Sequence, residues 1–451
     1  YCLSEFYFIG SINSCSRAYN LQKTIVKKVL IITYYWPPAG GPGVQRWLKF
    51  VKYLPDFGIK PIVYCPENPN YPINDSSLLT DVSPELTLLK APINEPYKWA
   101  KFISKSKTKT LSKGLISNTQ KQSILEKFLL FVRGNFFIPD ARVSWVRPSV
   151  SYLSEYISTH QIDTIITTGP PHSLHLIGLQ LKQKHALKWI ADFRDPWTQI
   201  GYHKKLMLSS LAQKKHKKLE TVVLQSADQL VVTSLKTKTL FSGLTTTPVQ
   251  VLTNGFDFEI TTNSILDSKF TLSHIGSLFE GRNPTVLWGV LSDMVAASED
   301  FAAAFQLNLL GNVSVEVMDA LKRFGLERHI HAMGYVSHAS TIECQKKTQL
   351  LLLIEEDSKE TEYIIPGKLF EYMASKRPIL AIGPEASDIE GILNQTKSGT
   401  YFRYDASTAL RNQLEQHFEA YKLKNLHVDS IGLEIYSRKS LTEQLAQNLL
   451  N

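Results

Sequence analysis

The chain has 451 residues, which is too long for one ordinary domain and suits two domains, each with its own core. Hydrophobic residues make up 43% of it and charged residues 20%, a composition that excludes the disordered and fibrous classes. The formal net charge of +9 favours an anionic partner such as a nucleotide sugar, an acidic lipid or a nucleic acid. Nucleic acid is disfavoured, because no RNA-recognition motif or zinc-finger spacing occurs.

The sequence also indicates the cellular compartment of the protein. Four cysteines, without a CxxC pair, indicate neither a zinc site nor a disulfide framework, and they favour a reducing compartment. No apolar run has the length that spans a bilayer. Residues 1–26 do not predict a secretory signal, and we expect a poorly ordered extension there. We therefore expect a cytoplasmic protein, either free or bound peripherally to the cytoplasmic face of the membrane.

The first predicted domain spans residues 27–260 and begins with a short apolar strand at 28–32. Gly40, Gly41 and Gly43 follow and open a helix near Val44. A glycine-rich turn between a first strand and a first helix brings bare backbone N–H groups to the mouth of a parallel sheet. The sequence therefore predicts close approach of an anion or a sugar; the alternative is a turn that simply needs glycine.

A basic and aromatic stretch follows the second predicted strand, Lys60–Cys65. Between residues 99 and 131 lysines alternate with aromatic and aliphatic residues. Such a composition is typical of an element that lies on an anionic membrane leaflet, and we expect peripheral membrane contact there. The competing interpretation is a solvated, mobile insertion.

Two histidines follow the predicted strand Asp163–Thr168. Ser173 is a candidate N-cap, which places His172 just before a helix and His175 in its first turn. Ligands bind at the carboxyl ends of strands in open α/β sheets, so both rings are expected near a cleft; the alternative for each is a helix-capping or core histidine. No third ligand accompanies them at a useful spacing, and we predict no metal site.

The next strand, 189–192, runs into Arg194 and Asp195. These side chains offer a cation for an acidic acceptor and an acceptor for sugar hydroxyl groups, unless an internal Arg–Asp pair only holds the loop. A long helix, Leu206–Ser226, and a strand at 229–233 complete the pattern, and the polar stretch 261–268 predicts a linker.

The second predicted domain, 268–430, repeats the glycine turn after its first strand. Gly276 permits the close approach that a phosphate needs, and Arg282 can reach that phosphate as a bidentate donor. Further along, the apolar run Leu350–Ile354 predicts a strand buried on both faces. A Pro366-Gly367 turn, a helix at 368–375 and another strand follow.

The polar face of this helix predicts a ligand. Successive helical residues turn by about 100°, which places Lys368 and Glu371 on the side opposite the apolar residues. Lys368 and the helix N-terminus suit a diphosphate, and Glu371 can accept hydrogen bonds from both hydroxyl groups of a ribose. The alternative is an amphipathic surface helix with ordinary charges.

The segment PGKLFEYMASKRPILAIG resembles the donor-binding segment of GT-B glycosyltransferases, specifically the family 4 retaining enzymes with an E-x7-E signature. Glu371 matches the second glutamate of that signature. Tyr363 occupies the position of the first glutamate, and Glu362 beside it is the nearest substitute. The resemblance implies a GT-B fold, with two Rossmann-like doubly wound domains facing across a cleft and a C-terminal helix, 431–451, that crosses back to the first domain.

The same resemblance assigns residues to a donor site in the second domain and an acceptor site in the first. The segment at 333–336 resembles the turn that holds the nucleotide base. The implied donor-binding residues are Gly41, Gly43, Gly276, Arg282, Met333, Tyr335, Glu362, Pro366, Gly367, Lys368 and Glu371. The candidate catalytic residues are His172, His175, Arg282 and Lys368, and the candidate acceptor-binding residues are Arg194 and Asp195.

We therefore expect a metal-independent glycosyltransferase without a cofactor that takes a nucleoside-diphosphate sugar and a glycan or lipid-linked acceptor in polysaccharide biosynthesis. The absence of a DxD motif agrees with that expectation. Two other classes stay open. One is a nucleotide-sugar epimerase or hydrolase on the same fold, and the other is a non-catalytic anion-binding protein.

Overall fold

The computed structural model describes residues 27–95, 124–204, 206–257, 265–359 and 361–450. The expected extension at 1–26 and most of the basic stretch at 99–131 lie outside these ranges. Within them the chain forms two sheet-centred domains, which occur in the order that the sequence predicts.

The first domain is built on a parallel seven-stranded sheet with the order β3-β2-β1-β4-β5-β6-β7. Its strands are β1 Lys27–Ile32, β2 Ile59–Pro66, β3 Thr87–Ala91, β4 Thr164–Gly169, β5 Lys188–Phe193, β6 Gln229–Val232 and β7 Val249–Val251. Its α-helices are α1 Pro42–Tyr53, α2 Ile124–Phe136, α3 Val146–His160, α4 Ser173–Lys184, α5 Gly201–Lys204, α6 Ser210–Ser226 and α7 Leu235–Ser242. The strand order reverses between β1 and β4, so a crevice opens at their carboxyl ends.

The second domain is built on a parallel six-stranded sheet with the order β10-β9-β8-β11-β12-β13. Its strands are β8 Phe270–Ile275, β9 Phe305–Leu310, β10 Ile330–Gly334, β11 Leu350–Ile354, β12 Ile379–Gly383 and β13 Gly399–Arg403. Its helices are α8 Thr285–Ala297, α9 Glu299–Ala304, α10 Val315–Arg323, α11 His338–Lys347, α12 Lys368–Ala374, α13 Asp388–Thr396 and α14 Ser407–Lys422. Here the order reverses between β8 and β11, which places the predicted glycine turn and the predicted helix at one crevice.

The last helix, α15 (Arg438–Leu450), packs on the first domain although it follows the second. Leu441, Leu445 and Leu449 are buried in the same hydrophobic cluster as Trp47 of α1. The chain crosses over beside Gly255, where a Cβ atom would lie only 2.2 Å from the carbonyl oxygen of Tyr436. The two domains are therefore joined by shared packing as well as by the linker.

Two local predictions are wrong at helix starts. The predicted helix from Leu206 begins at Ser210, because the side chain of Ser209 caps it by accepting from Ala212 N at 3.3 Å. Ser173 is the first helical residue and not the N-cap. Its backbone N–H and its hydroxyl group both donate to the carboxylate of Asp140, at 2.8 and 2.9 Å, so a loop residue distant in sequence satisfies this helix start.

A buried ion pair stands at the crevice of the first domain. Arg46 and Asp192 are fully buried and 2.9 Å apart, and Asp192 also accepts from Trp47 Nε1 at 2.7 Å and from Thr168 Oγ1 at 2.8 Å. Burial alone would raise the pKa of Asp192, but the Arg46 guanidinium and these hydrogen bonds hold it below its ordinary value. Asp192 thus has an internal arginine partner in Arg46, whereas Arg194, the arginine of the predicted pair, donates to backbone carbonyl oxygens.

We expect Asp192→Ala to lower the free energy of unfolding by about 3–5 kcal/mol, because it leaves the Arg46 charge buried without its partner. Urea unfolding measures the change. Asp293→Ala is the matched control, since Asp293 pairs with Arg411 on the surface and its loss is expected to cost less than about 1 kcal/mol. Equal effects of the two substitutions would contradict the structural role of the buried pair.

Candidate functional site

A lysine lies at the glycine turn of the second domain and interacts electrostatically with a nearby arginine, and we call Gly276, Arg282 and Lys368 the cation pocket. Gly276 follows β8 with φ of +114°, a conformation that favours glycine. Lys368, the first residue of α12, donates from Nζ to the carbonyl oxygen of Ile275 at 3.1 Å. Its Nζ would lie 3.5 Å from a Cβ atom at Gly276. Strand, turn and helix thus bring together Gly276 and Lys368, which are 92 positions apart in the sequence.

Burial and neighbouring cations disfavour the charged forms of Lys368 and His274 in the cation pocket. Burial, and then the charge of Arg282, lower the pKa of Lys368 to about 7. His274 Nε2 lies 3.4 Å from Lys368 Nζ, and burial, followed by the charge of Lys368, lowers the pKa of His274 well below its ordinary value. A phosphate group bound here would stabilise both cations. Because α12 has only seven residues, the side-chain charges contribute more than its dipole.

A buried glutamate beside this pocket is missing from the sequence prediction. Glu355 directly follows β11 and accepts from the hydroxyl groups of Ser387 and Tyr401, at 2.9 and 2.8 Å. Burial raises the pKa of Glu355 to about 7, against the opposing effects of those hydrogen bonds and of Arg282. Its position, the first residue after a fully apolar strand, is the sequence signal that could have identified it.

The remaining predicted donor residues lie around α12 and at the end of β10. Glu371 is half-buried, and Gln345 of α11 donates from Nε2 to its carboxylate at 3.3 Å. Pro366 and Gly367 immediately precede α12, also half-buried. Met333 and Tyr335 are 36% and 80% exposed, so the turn after β10 is open to a ligand.

Glu362, the nearest substitute for the missing signature glutamate, is engaged by the other domain. Its carboxylate lies 2.7 Å from Nζ of Lys236, in the first turn of α7. The backbone N–H of Lys236 donates to Asp388 at 3.1 Å. Tyr363 next to it is half-buried, and burial followed by the Glu362 charge raises its pKa. One lysine of the first domain therefore contacts two acidic residues of the second.

In the first domain the glycine turn holds an arginine. Gly41 has φ of +100°, and a Cβ atom at Gly43 would lie 1.9 Å from Nη1 of Arg194. Arg194 donates from Nε to the carbonyl oxygen of Gly169 at 3.3 Å and from Nη2 to that of Pro170. Glycine at 43 is thus needed for Arg194 to occupy this place. The structure brings Gly41, Gly43 and Arg194 together as one group.

The two predicted histidines lie beneath this group instead of lining a surface. His172 stacks on Trp197 with ring centroids 4.9 Å apart, and His175 Nδ1 lies 2.8 Å from Thr167 Oγ1. Burial lowers the pKa of His175 to about 3 and that of His172 well below its ordinary value. Both rings pack against Gly169, whose carbonyl oxygen holds Arg194. Direct contact with a substrate is therefore not the role that their position supports.

Asp195 follows Arg194 and is half-buried. Burial raises its pKa, and the charge of Arg194 opposes this effect. Within the described ranges there is no cluster of three or more side chains that could hold a metal ion. No helix in those ranges is both long and apolar enough to cross a bilayer.

The fold matches those of solved glycosyltransferases. Sucrose-phosphate synthase from Thermosynechococcus elongatus aligns with a TM-score of 0.60 at 12% identity, over 94% of this chain and 98% of that one. A glycosyltransferase from Rickettsia africae aligns with a TM-score of 0.57 at 12% identity, over 94% and 99%. HepE from Anabaena, solved in complex with UDP-glucose, aligns with a TM-score of 0.55 at 13% identity, over 94% and 99%.

No protein-family model and no curated protein sequence matches the chain significantly. The structural matches nevertheless extend over nearly all of both chains and include both sheets. The prediction of a GT-B fold with two Rossmann-like domains is therefore confirmed.

The pKa of Lys368 predicts how pyrophosphate binding depends on pH. The bound phosphate requires the charged lysine, and above pH 7 the free lysine loses its proton. Affinity for inorganic pyrophosphate, the probe of the cation pocket, should therefore fall as the pH rises from 7 to 9, by up to about tenfold per pH unit. Titration calorimetry at constant ionic strength measures this. Lys368→Met should bind weakly and without that pH dependence; a wild-type profile that stays flat would contradict a charged Lys368 at the phosphate.

Gly43→Ala tests the group formed by the first glycine turn and Arg194. The added methyl group would occupy the place of the guanidinium, so we expect turnover to fall at least about tenfold while affinity for the nucleotide sugar changes less than about twofold. Gly58→Ala is a poor match because its φ is positive, whereas Gly391→Ala in α13 meets nothing within 4 Å and serves as the control. Wild-type turnover of Gly43→Ala would contradict a role of this group in turnover.

Proposed function

We propose that the chain is a glycosyltransferase that moves a sugar from a nucleoside-diphosphate sugar to a glycan or lipid-linked acceptor in cell-surface polysaccharide synthesis. The observation that carries the proposal is the cation pocket, where Lys368 lies at a glycine turn on the carboxyl edge of a parallel sheet and interacts electrostatically with Arg282. Two cations and a glycine that admits close approach are suited to a diphosphate.

The pocket supports the chemistry of the departing group. When the bond from the sugar carbon to the diphosphate oxygen breaks, negative charge develops on the diphosphate. Lys368 and Arg282 stabilise that charge in the transition state, which is the role that a metal ion has in other transferases. Transfer therefore proceeds without a metal, and retention of configuration is what the family 4 resemblance implies.

The rest of the donor has partners around α12. Glu371 accepts hydrogen bonds from the ribose hydroxyl groups, and the open turn at Met333 and Tyr335 receives the base. Glu362 reaches the donor sugar in place of the signature glutamate when its ion pair with Lys236 opens. HepE, which has a similar fold, binds UDP-glucose, so UDP-glucose is the first donor to test.

The acceptor binds across the cleft, at the group formed by Gly41, Gly43 and Arg194. The guanidinium suits a phosphate or carboxylate of the acceptor, and Asp195 accepts from its hydroxyl groups. His172 and His175 act as positioning residues, because they support Gly169 and through it Arg194. A cytoplasmic location with peripheral membrane contact completes the proposal.

A thermal-shift screen of UDP-, GDP- and ADP-sugars tests the donor site first. Wild type should be stabilised by one nucleotide class, and Lys368→Ala and Glu371→Ala should lose that stabilisation, because each removes a direct partner of the donor. Lys322→Ala, on the surface of α10, is the control. Wild-type shifts in both site variants would remove the donor-site assignment.

Incubation with the donor alone separates the other classes. An epimer or a free sugar formed without any acceptor would support an isomerase or a hydrolase and oppose transfer. Tight RNA binding that weakens steeply with salt, without preference for a nucleotide sugar, would instead support a non-catalytic anion-binding protein.

A further inference from the structure

Large apolar side chains are exposed along α2, Ile124–Phe136, whose first eight residues belong to the basic stretch at 99–131. Phe128 is 60% exposed and Phe136 is 72% exposed, and Val132 lies between them at four-residue spacing on the same side of the helix. Phe131 is 39% exposed beside them. An amphipathic helix of a soluble domain normally turns such a row of apolar side chains towards the core. Among the described residues, no other element covers this face.

A second exposed apolar pair lies next to α2. Asn135 donates from Nδ2 to the carbonyl oxygen of Met207 at 3.2 Å and accepts from Ser209 N at 2.8 Å, so the segment before α6 packs along α2. Met207 is 47% exposed, and Leu211 in the first turn of α6 is 80% exposed. The two sets of side chains are thus adjacent on one surface. We call Phe128, Phe131, Phe136, Met207 and Leu211 the apolar face.

Lysines continue this surface along α6. Lys214, Lys215 and Lys218 are exposed and lie on the same side of the helix as Leu211, because they follow it at three, four and seven residues. The acidic residue of α6, Glu220, is buried and accepts from Thr198, so it does not offset their charge at the surface. We call these three residues the lysine stripe.

The apolar face and the positively charged lysine stripe beside it are complementary to the two layers of an anionic bilayer surface, the acyl chains and the headgroups. The apolar side chains enter the boundary of the acyl chains while the lysines stay at the level of the anionic headgroups. Exposed apolar residues that are scattered singly over a surface are normal. Five large apolar side chains on two elements that pack together indicate an interaction site. A protein partner would need a groove that is both acidic and apolar. An anionic membrane offers negative charge and apolar groups without such a groove.

The docking surface is connected to the acceptor side of the cleft. His216 lies on the inner side of α6, and Trp197 Nε1 donates to its Nδ1 at 3.2 Å. Trp197 in turn stacks on His172, which packs against Gly169 beneath Arg194. The helix that carries the lysine stripe therefore shares one packed unit with the group at Arg194.

We propose that the first domain docks on an anionic membrane leaflet through the apolar face and the lysine stripe. The inference extends the membrane contact predicted for 99–131 to a specific surface, most of which lies in α6 and at the end of α2. Docking through α6 places the Arg194 group close to the lipid headgroups. If the proposed function holds, that position favours a lipid-linked acceptor over a free glycan.

Flotation of the full chain with vesicles tests the docking surface. Wild type should float with vesicles that contain phosphatidylglycerol and remain behind with pure phosphatidylcholine. Lys214→Glu/Lys215→Glu/Lys218→Glu should lower the partition coefficient more than about tenfold, since each lysine near an anionic surface contributes about fivefold. Phe128→Ser/Phe136→Ser/Leu211→Ser should lower it similarly by removing the inserted groups.

Lys322→Glu/Lys397→Glu/Lys424→Glu is the matched control, because it makes the same change of net charge on exposed lysines of the second domain. It should retain at least half of the wild-type partition coefficient. The proposal would be overturned if the control and test variants lost equal fractions of the partition coefficient, or if the wild type did not bind anionic vesicles. A dimer in light scattering that the serine variant abolishes while vesicle binding is unchanged would also overturn it. Nucleotide-sugar thermal shifts report on the proposed function independently, because they need no membrane.

Discussion

The structure depends on one close approach, that of the Lys368 ammonium group to the turn at Gly276. A side chain at position 276 would require a rare backbone conformation, and the turn would then move away from the lysine. The strand β8 and the helix α12 share one hydrophobic cluster, which contains Ile275 and Leu369, so the packing of the second domain fixes this approach. Burial and the charge of Arg282 lower the pKa of Lys368, and groups with perturbed pKa values cluster at functional sites.

The first domain repeats this arrangement with different chemistry. A glycine turn after the first strand again admits a cation, but here Arg194 is held by backbone carbonyl oxygens of the loop after β4. The buried histidines and Trp197 support that loop from below. Two preorganised cationic groups thus belong to the carboxyl edges of two sheets. Only Lys236, which contacts both Glu362 and Asp388, connects these edges directly among the contacts described above.

The sequence predicts the parts of the fold that local pattern determines. Continuous apolar runs such as Leu350–Ile354 and glycine turns after strands identify both sheets and their crevices. Short strands such as β7, Val249–Val251, are missed because three residues carry no measurable periodicity. The Asp140 contact with the start of α4 and the Arg46–Asp192 pair are also beyond prediction, since they join residues that are 33 and 146 positions apart. The sequence predicts His172 just before a helix and His175 in its first turn, as observed, but the burial of both rings depends on Trp197 and Phe193, which pattern alone does not bring there.

The position of α15 has a consequence for how this protein can be made and divided. Its leucines complete the hydrophobic cluster around Trp47, so the first half of the chain lacks part of its own interior until the final helix has left the ribosome. A fragment cut at the linker would expose that unfinished interior to water and to other nascent chains. The first domain is therefore not suited to expression without α15. During synthesis its exposed interior is a surface that chaperones can bind.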